Sequence, residues 1–497
     1  MSNNITFKNY TKVLSHDAFL TAKKWYVLLY FSWLMIFRIV PLVTYTKTIF
    51  PNVELVVSST FAAFGIILIA WDFFTNRDLF RPQFSTILTI FLGICVISSI
   101  LNYRYGITDN IKTIIWTSIN FYLCFSVPLY RNRDDVIKEV KLFANVFLIF
   151  NFIPIFISFI QFILEIGYEV PYERYARPQG FIGGRLFGIF SDPNYTAIIA
   201  IFATILSIIL MQSYRNRAIK FLYIINIVAQ YLYFILSNSR TALFVLIISM
   251  PIGIWFVLRK KVHLNNRIIK ELVCICIGLC CSFIVFLSYL PTQKAIAYLP
   301  VLTSTINHNI NSMEDETIDF TRTEYSNDVS NGRINIWRSG WEIFTENPIF
   351  GVSPRNIPNY CLEHHPESII VKSQKKYFQV HSFYLALLTS TGLVGFIAFI
   401  TFLILAAKKA LSYILSNKTN KRNYFIVVAC LLCSLLFLLS GVLQLEIVFT
   451  NIISTALFWI SMGYGIYFIN EDSDKELSEP YIKRLFDKIF SKPKKEK

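Results

Sequence analysis

Charge is what this sequence has little of. Asp, Glu, Lys and Arg make up 16% of its 497 residues, where a soluble domain carries about a quarter. Hydrophobic residues reach 55%, with 46 Phe. A soluble core cannot hide that much apolar surface, but a bilayer can. Patterned cysteine is also missing. Of the nine Cys, eight (Cys95, Cys124, Cys274, Cys276, Cys280, Cys281, Cys430, Cys433) sit in apolar stretches as small hydrophobes. Cys361 stands alone in a loop, so neither a disulfide framework nor a metal spacing is implied. No zinc-finger, RNA-binding or helix-turn-helix signature is present. The formal net charge of +16 therefore does not indicate nucleic acid. No internal repeat of the transporter kind is visible, and no small-residue cleavage site follows the first apolar run, which reads as a retained anchor.

What is present is a succession of apolar runs near 20 residues, the length that spans a bilayer as a helix. They fall at 25–45, 52–73, 84–102, 111–130, 142–166, 193–212, 219–236, 241–258, 271–290, 382–407, 424–443 and 447–469. The expected fold class is all-α integral membrane, with about 12 transmembrane helices. Most Lys and Arg residues fall in one set of loops, among them Lys23, Lys24, Arg131, Arg133, Arg215, Arg259, Lys260, Lys408 and Lys409. The positive-inside rule makes that set cytoplasmic. The expected layout is a cytoplasmic N-terminus (1–24), helices 1–9 (25–290), a large outer loop (291–381), helices 10–12 (382–469) and a basic cytoplasmic tail (470–497).

Two outer segments stand apart. Residues 167–192 read as a loop rich in Gly, Pro and Arg. The large loop has an acidic, polar middle at 311–331, expected to be mobile and solvated. It then turns amphipathic, with Ile334, Trp337, Trp341 and Phe344 at helical spacing, as suits a helix on the bilayer surface.

Four groups of residues could carry chemistry. Arg185 precedes Asp192-Pro193-Asn194, an N-cap with Pro at the first helical position, and a cation beside a helix N-terminus suits an anion. Ser237-Asn-Ser239-Arg240 joins two spans with almost no loop, which fixes Arg240 at the membrane edge. Gly332-Arg333 opens the Trp helix, where dipole logic disfavours a cation unless it meets a bound anion. His381-Ser-Phe-Tyr384 enters span ten, and an imidazole there can act as base or acid near neutrality. Glu363-His364-His365 lacks the i, i+4 spacing of helical metal ligands. Arg38 fits either a snorkelling or a pathway residue.

In this order, Arg185…Phe190-Ser-Asp192-Pro-Asn194, Ser237-Asn-Ser239-Arg240, Gly332-Arg333…Trp337…Asn347-Pro348…Gly351 and His381-Ser-Phe-Tyr384…Gly392…Gly395 resemble the O-antigen ligase/polymerase superfamily. Its relatives include bacterial polysaccharide polymerases and lipid A–core ligases. The resemblance runs from about residue 170 to 400 and departs at Ser353, where the family often has a second Gly.

The resemblance implies a plasma-membrane glycosyltransferase with its active site outside the cytoplasm. Its donor would be a glycan on undecaprenyl diphosphate, its acceptor a second glycan, and it would use neither cofactor nor metal. It would polymerise repeat units into a surface polysaccharide of capsule, exopolysaccharide or O-antigen type. Arg185, Arg240 and Arg333 would bind the diphosphate. His381 would activate or orient the acceptor hydroxyl, acting with Arg185 and Arg240. Asp192, Asn194, Ser239, Trp337 and Tyr384 would support them. Two alternatives stay open: a ligase moving lipid-linked glycan to another acceptor, and a lipid-oligosaccharide flippase. A flippase would need polar residues along the bundle interior, and the sequence has few.

Overall fold

A computed structural model describes residues 16–75, 78–80, 83–172, 175–300, 319–321, 332–372, 380–416 and 423–472. Most of the acidic stretch expected at 311–331, and the basic tail after residue 472, lie outside the described residues. The protein is an all-α integral membrane protein with one small sheet. Its first half runs α1 (His16–Phe37), α2 (Val40–Ile49), α3 (Val53–Phe74), α4 (Ser85–Leu101), α5 (Thr108–Ile119) and α6 (Arg133–Ile163). Strands β1 (Gly167–Tyr172), β2 (Tyr175–Ile182) and β3 (Arg185–Gly188) follow, then α7 (Pro193–Ser213), α8 (Arg217–Leu236), α9 (Arg240–Lys261) and α10 (Arg267–Ala297). The last part holds α11 (Arg333–Glu346), α12 (Ile357–His364), α13 (Phe383–Leu415), α14 (Tyr424–Ser440) and α15 (Ile453–Glu471).

Among the described residues, seven helices are long and apolar enough to cross a membrane: α3, α6, α7, α8, α9, α10 and α13. Helices α4 and α14 are shorter but apolar. Twelve uninterrupted spans are therefore not seen. The run at 25–45 is divided at Arg38-Ile39, because Pro41 in the first turn of α2 cannot donate a hydrogen bond back into α1. The run at 111–130 becomes α5, a short π-helix (Asn120–Cys124) and turns. The core is aromatic. Trp459 of the almost wholly buried α15 lies 4.6 Å from Phe121 and 5.6 Å from Phe402, ring centre to ring centre.

The segment expected as loop 167–192 is instead a three-stranded antiparallel sheet in the order β1-β2-β3. Its pairing is set by the backbone: Gly167 faces Gly180, and Ile182 faces Arg185 across a two-residue turn. That turn is Gly183-Gly184, both at positive φ, as a tight hairpin requires. Val40 N donates to Ile189 O at 2.9 Å, which ties the exit of the sheet to the break between α1 and α2.

Arg38 sits in that break. Its guanidinium lies over the Phe190 ring at 4.5 Å and donates to Asn151 Oδ1 at 3.0 Å. From there a hydrogen-bond ladder crosses the bundle: Asn151 to Gln230 at 2.9 Å, Gln230 to Asn226 at 2.9 Å, and Asn226 to Ser207 at 2.7 Å. The interior is thus more polar than its composition suggested. These side chains bond to one another across α6, α7 and α8, which is how polar groups hold membrane helices together.

Candidate functional site

Three of the four motif groups meet in one web of hydrogen bonds. Asp192 is the N-cap of α7, and its Oδ1 accepts from Asn194 N at 2.6 Å. Ser239 is the N-cap of α9, and its Oγ accepts from Ala242 N at 3.2 Å. A single oxygen joins the two caps. Asn194 Oδ1 accepts from Ser239 Oγ at 2.9 Å and from the Arg185 guanidinium at 2.8 Å. Arg185 Nε also donates to Ser237 O at 3.2 Å. Two helix N-termini, each the positive end of a dipole, are thereby fixed beside one guanidinium.

Arg333, at the start of α11, reaches the same place, with its Nη1 3.5 Å from Thr241 Oγ1 in the first turn of α9. Arg240 is the first residue of α9, between Ser239 and Thr241, and is exposed. Arg185 and Arg333 thus share one web of bonds through Asn194, Ser239 and the start of α9. Asp192 and Arg185 both act on Tyr233, and so does Arg38. Asp192 and Arg333 both act on Tyr195.

Helix α11 packs inward through Ile336, Ser339, Gly340 and Ile343. Ile334 and Trp341 face outward at 55% and 54% exposure, so the apolar face read from the sequence is left for lipid. Trp337 is partly covered, and its Nε1 is buried without a partner.

The turn after α11 locks onto a break in α13. Gly392 has φ 62° and ψ −165°, which interrupts the helix. Val352 N then donates to Thr389 O at 2.8 Å, and Leu393 N donates to Pro348 O at 2.7 Å. The groups freed by the break are satisfied by the 348–353 segment. Ser353 has φ +77°, the backbone a glycine would take, and its hydroxyl meets Ser99 Oγ at 2.9 Å. The departure from the motif keeps the loop conformation.

His381 also has positive φ, 49°, just before α13. Two residues on, Phe383 N donates to Gly441 O at 2.8 Å, which joins this entry to the connection between α14 and α15. Tyr384 Oη donates to Leu438 O at 3.1 Å. His364 and His365 turn to protein partners, Tyr105 Oη at 2.8 Å and Glu346 at 3.0 Å. Of the loop stretch expected to be solvated, residues 319–321 are described, and there Phe320 lies against Phe162 and Phe181 while its carbonyl accepts from Asn238.

Sequence reasoning missed Glu446, in the connection between α14 and α15. It is fully buried, and its carboxyl is pushed up to about 8 by burial and by the charge of Asp192, with the Ser440 hydroxyl opposing. The available signal was slight: one acid between two apolar runs.

Residues 225–400 match a family model described as O-antigen ligase. The match covers the motifs from Ser237 to Gly395 and supports the O-antigen ligase/polymerase superfamily, a glycosyltransferase-like class that serves surface-glycan assembly. No curated protein matches the chain.

Proposed function

We propose that this member of a surface-glycan assembly superfamily is an extracytoplasmic glycosyltransferase. On this reading it polymerises oligosaccharide repeat units carried on undecaprenyl diphosphate. The observation that carries it is the joining of Arg185 and Arg333 to the first turns of α7 and α9 through Asn194, Ser239 and Thr241. A lipid diphosphate gains negative charge as the glycosidic bond to it breaks. Guanidinium groups and helix N-termini stabilise that charge, and a well-placed donor lowers such a barrier by about 3 kcal/mol. Arg240, exposed at the start of α9, would complete the clamp. His381 would orient the acceptor hydroxyl. The site would face outward, because the basic loops gather at the other end, where Arg131, Arg259 and Asn423 make their contacts.

The test is transfer in vesicles by the purified full-length protein, using a lipid-diphosphate-linked repeat unit. Arg185→Ala and Arg240→Ala should each slow chain growth by about 100-fold or more. Wild-type rates in both would end the proposal. Deleting the protein from its cell and sizing the surface glycan separates polymerase from ligase. Single repeat units mean a polymerase, and full-length chains left on the lipid carrier mean a ligase.

A further inference from the structure

Residues 441–452 join α14 to α15 without forming a helix, and the run 444–449 at their centre is buried. Gln444 and Glu446 stand two residues apart in this segment, at 2% and 0% exposure. Both lie in the same buried stretch, with Leu445 between them. Both atoms of the Gln444 amide and both carboxyl oxygens of Glu446 lack a partner in hydrogen-bond geometry. The same holds for the hydroxyl of Ser454, in the first turn of α15, and for that of Ser440, which ends α14 and lies beside Glu446, favouring its ionised form without meeting strict hydrogen-bond geometry. Six orphaned polar atoms therefore come from four buried side chains around one short connection.

Such atoms are costly to bury, and native proteins leave only a few per hundred residues. Elsewhere in this protein the orphaned polar atoms are mostly scattered singly. A cluster of this density is what a polar ligand would satisfy. Its chemistry is mixed: the amide nitrogen and hydroxyls donate, while the amide oxygen and carboxylate accept. Sugar hydroxyls both donate and accept, so a carbohydrate matches this set, whereas a bare anion would use only its donors. The cluster is one side chain away from the arginines. Tyr195 meets the backbone N–H of Leu445, and the charges of Glu446, Asp192 and Arg333 all act on it.

We propose that Ser440, Gln444, Glu446 and Ser454 form the acceptor-sugar subsite, and that Glu446 takes the proton of the attacking hydroxyl. This rests on the glycosyl-transfer reading above. The acceptor oxygen forms its bond to the anomeric carbon of the donor. The bond from that carbon to the diphosphate oxygen breaks, and its electron pair leaves with the lipid diphosphate. The hydroxyl proton passes to the Glu446 carboxylate. Glu446 is faced by Tyr195 of α7, by Asp192 at the cap of that helix and by Ser440 of α14, its backbone carbonyl accepts from Thr455 of α15, and Arg333 lies beyond Tyr195. A carboxyl at about 8 is a stronger base once ionised than a solvated one, and its ionised fraction grows as pH rises.

The experiment uses the full chain in vesicles, with a lipid-diphosphate-linked repeat unit as donor and acceptor. If the wild type forms no glycosidic bond, the functional reading fails before the subsite is tested. Given wild-type transfer, Glu446→Gln should lower kcat by about 100-fold or more while donor binding stays intact. The wild-type rate should climb toward pH 8, and this limb should be missing in the Gln variant. Glu446→Asp should recover part of the rate. Gln444→Ala should raise the acceptor KM about tenfold and leave the pH profile in place. Glu446→Gln acting within threefold of wild type, or keeping the pH limb, overturns the proposal. So does an unchanged acceptor KM in Gln444→Ala, which also decides the matter if the Glu446 variants fail to fold.

Discussion

Two buried carboxylates at opposite ends of the bundle make an instructive pair. Glu139 on α6 is closed: its Oε2 meets the Arg131 guanidinium at 2.8 Å, and its Oε1 accepts from Tyr464 Oη at 2.7 Å. Arg131 also donates to Leu20 O, and its own carbonyl accepts from Tyr467. The basic loops around it are finished in the same way, with Arg259 on Glu271 at 2.7 Å and Asn423 on Asp472 at 2.9 Å. Glu446 is buried as deeply, yet neither of its oxygens has a partner in hydrogen-bond geometry. A carboxylate whose bonds are all made holds helices together. One left open under the same burial keeps its proton to a higher pH and has bonds that a ligand could make. The contrast separates scaffold from site without reference to any motif.

The comparison breaks first at Glu139. Glu139→Ala leaves Arg131, which shares a charged pocket with Lys24 and Lys138, without its carboxylate partner, and breaking a buried pair in this way costs about 3–5 kcal/mol. The expected result is a steep loss of thermal midpoint and membrane yield, with transfer per folded molecule unchanged. A variant that stayed stable but lost transfer would move the functional end of the molecule to the basic face.

Glu446→Gln should act in the opposite direction on stability. The folded protein holds the Glu446 proton up to about pH 8, whereas the unfolded chain releases it in the ordinary carboxylate range. Between those two values the folded state binds more protons, so wild-type stability falls as pH rises through the window and levels off above about 8. The Gln variant has no proton to lose. Its thermal midpoint should match wild type most closely near pH 4 and exceed it by several degrees at pH 8. Unfolding followed at both pH values checks this. A variant less stable than wild type at pH 8 would mean that Glu446 is closed after all. Stability gained where activity is lost is the usual mark of a functional residue.

Much of this organisation was legible in advance. Apolar runs located the helices, because a spanning segment needs about 20 residues whatever its neighbours. Asp192-Pro193 was legible as a cap because capping is local. Three features were not. The sheet at 167–188 has a composition that reads as loop, and its pairing depends on turns and on Ile39 far upstream. The bond from Arg38 to Asn151 joins residues 113 apart, and nothing in either neighbourhood announces it. Gln444 and Glu446 are two polar residues in a short connection, and only their burial gives them meaning.

Ser353 gives the mildest and sharpest test of how the motif is held. Its φ of +77° costs a non-glycine residue about 1–2 kcal/mol, and its hydroxyl recovers part of that through Ser99 Oγ at 2.9 Å. Ser353→Gly removes both the strain and the bond, and it adds backbone freedom to the unfolded chain. These effects nearly cancel, so stability should change by less than about 1 kcal/mol and transfer by less than about twofold. Gly392 is the contrasting position. A Cβ there would lie 2.2 Å from Ile349 O and would push apart the turn and helix that Ser353 helps to join. If Ser353→Gly proved as damaging as Gly392→Ala, measured by thermal midpoint, the Ser99 contact would be holding the loop, and the backbone conformation alone would not suffice.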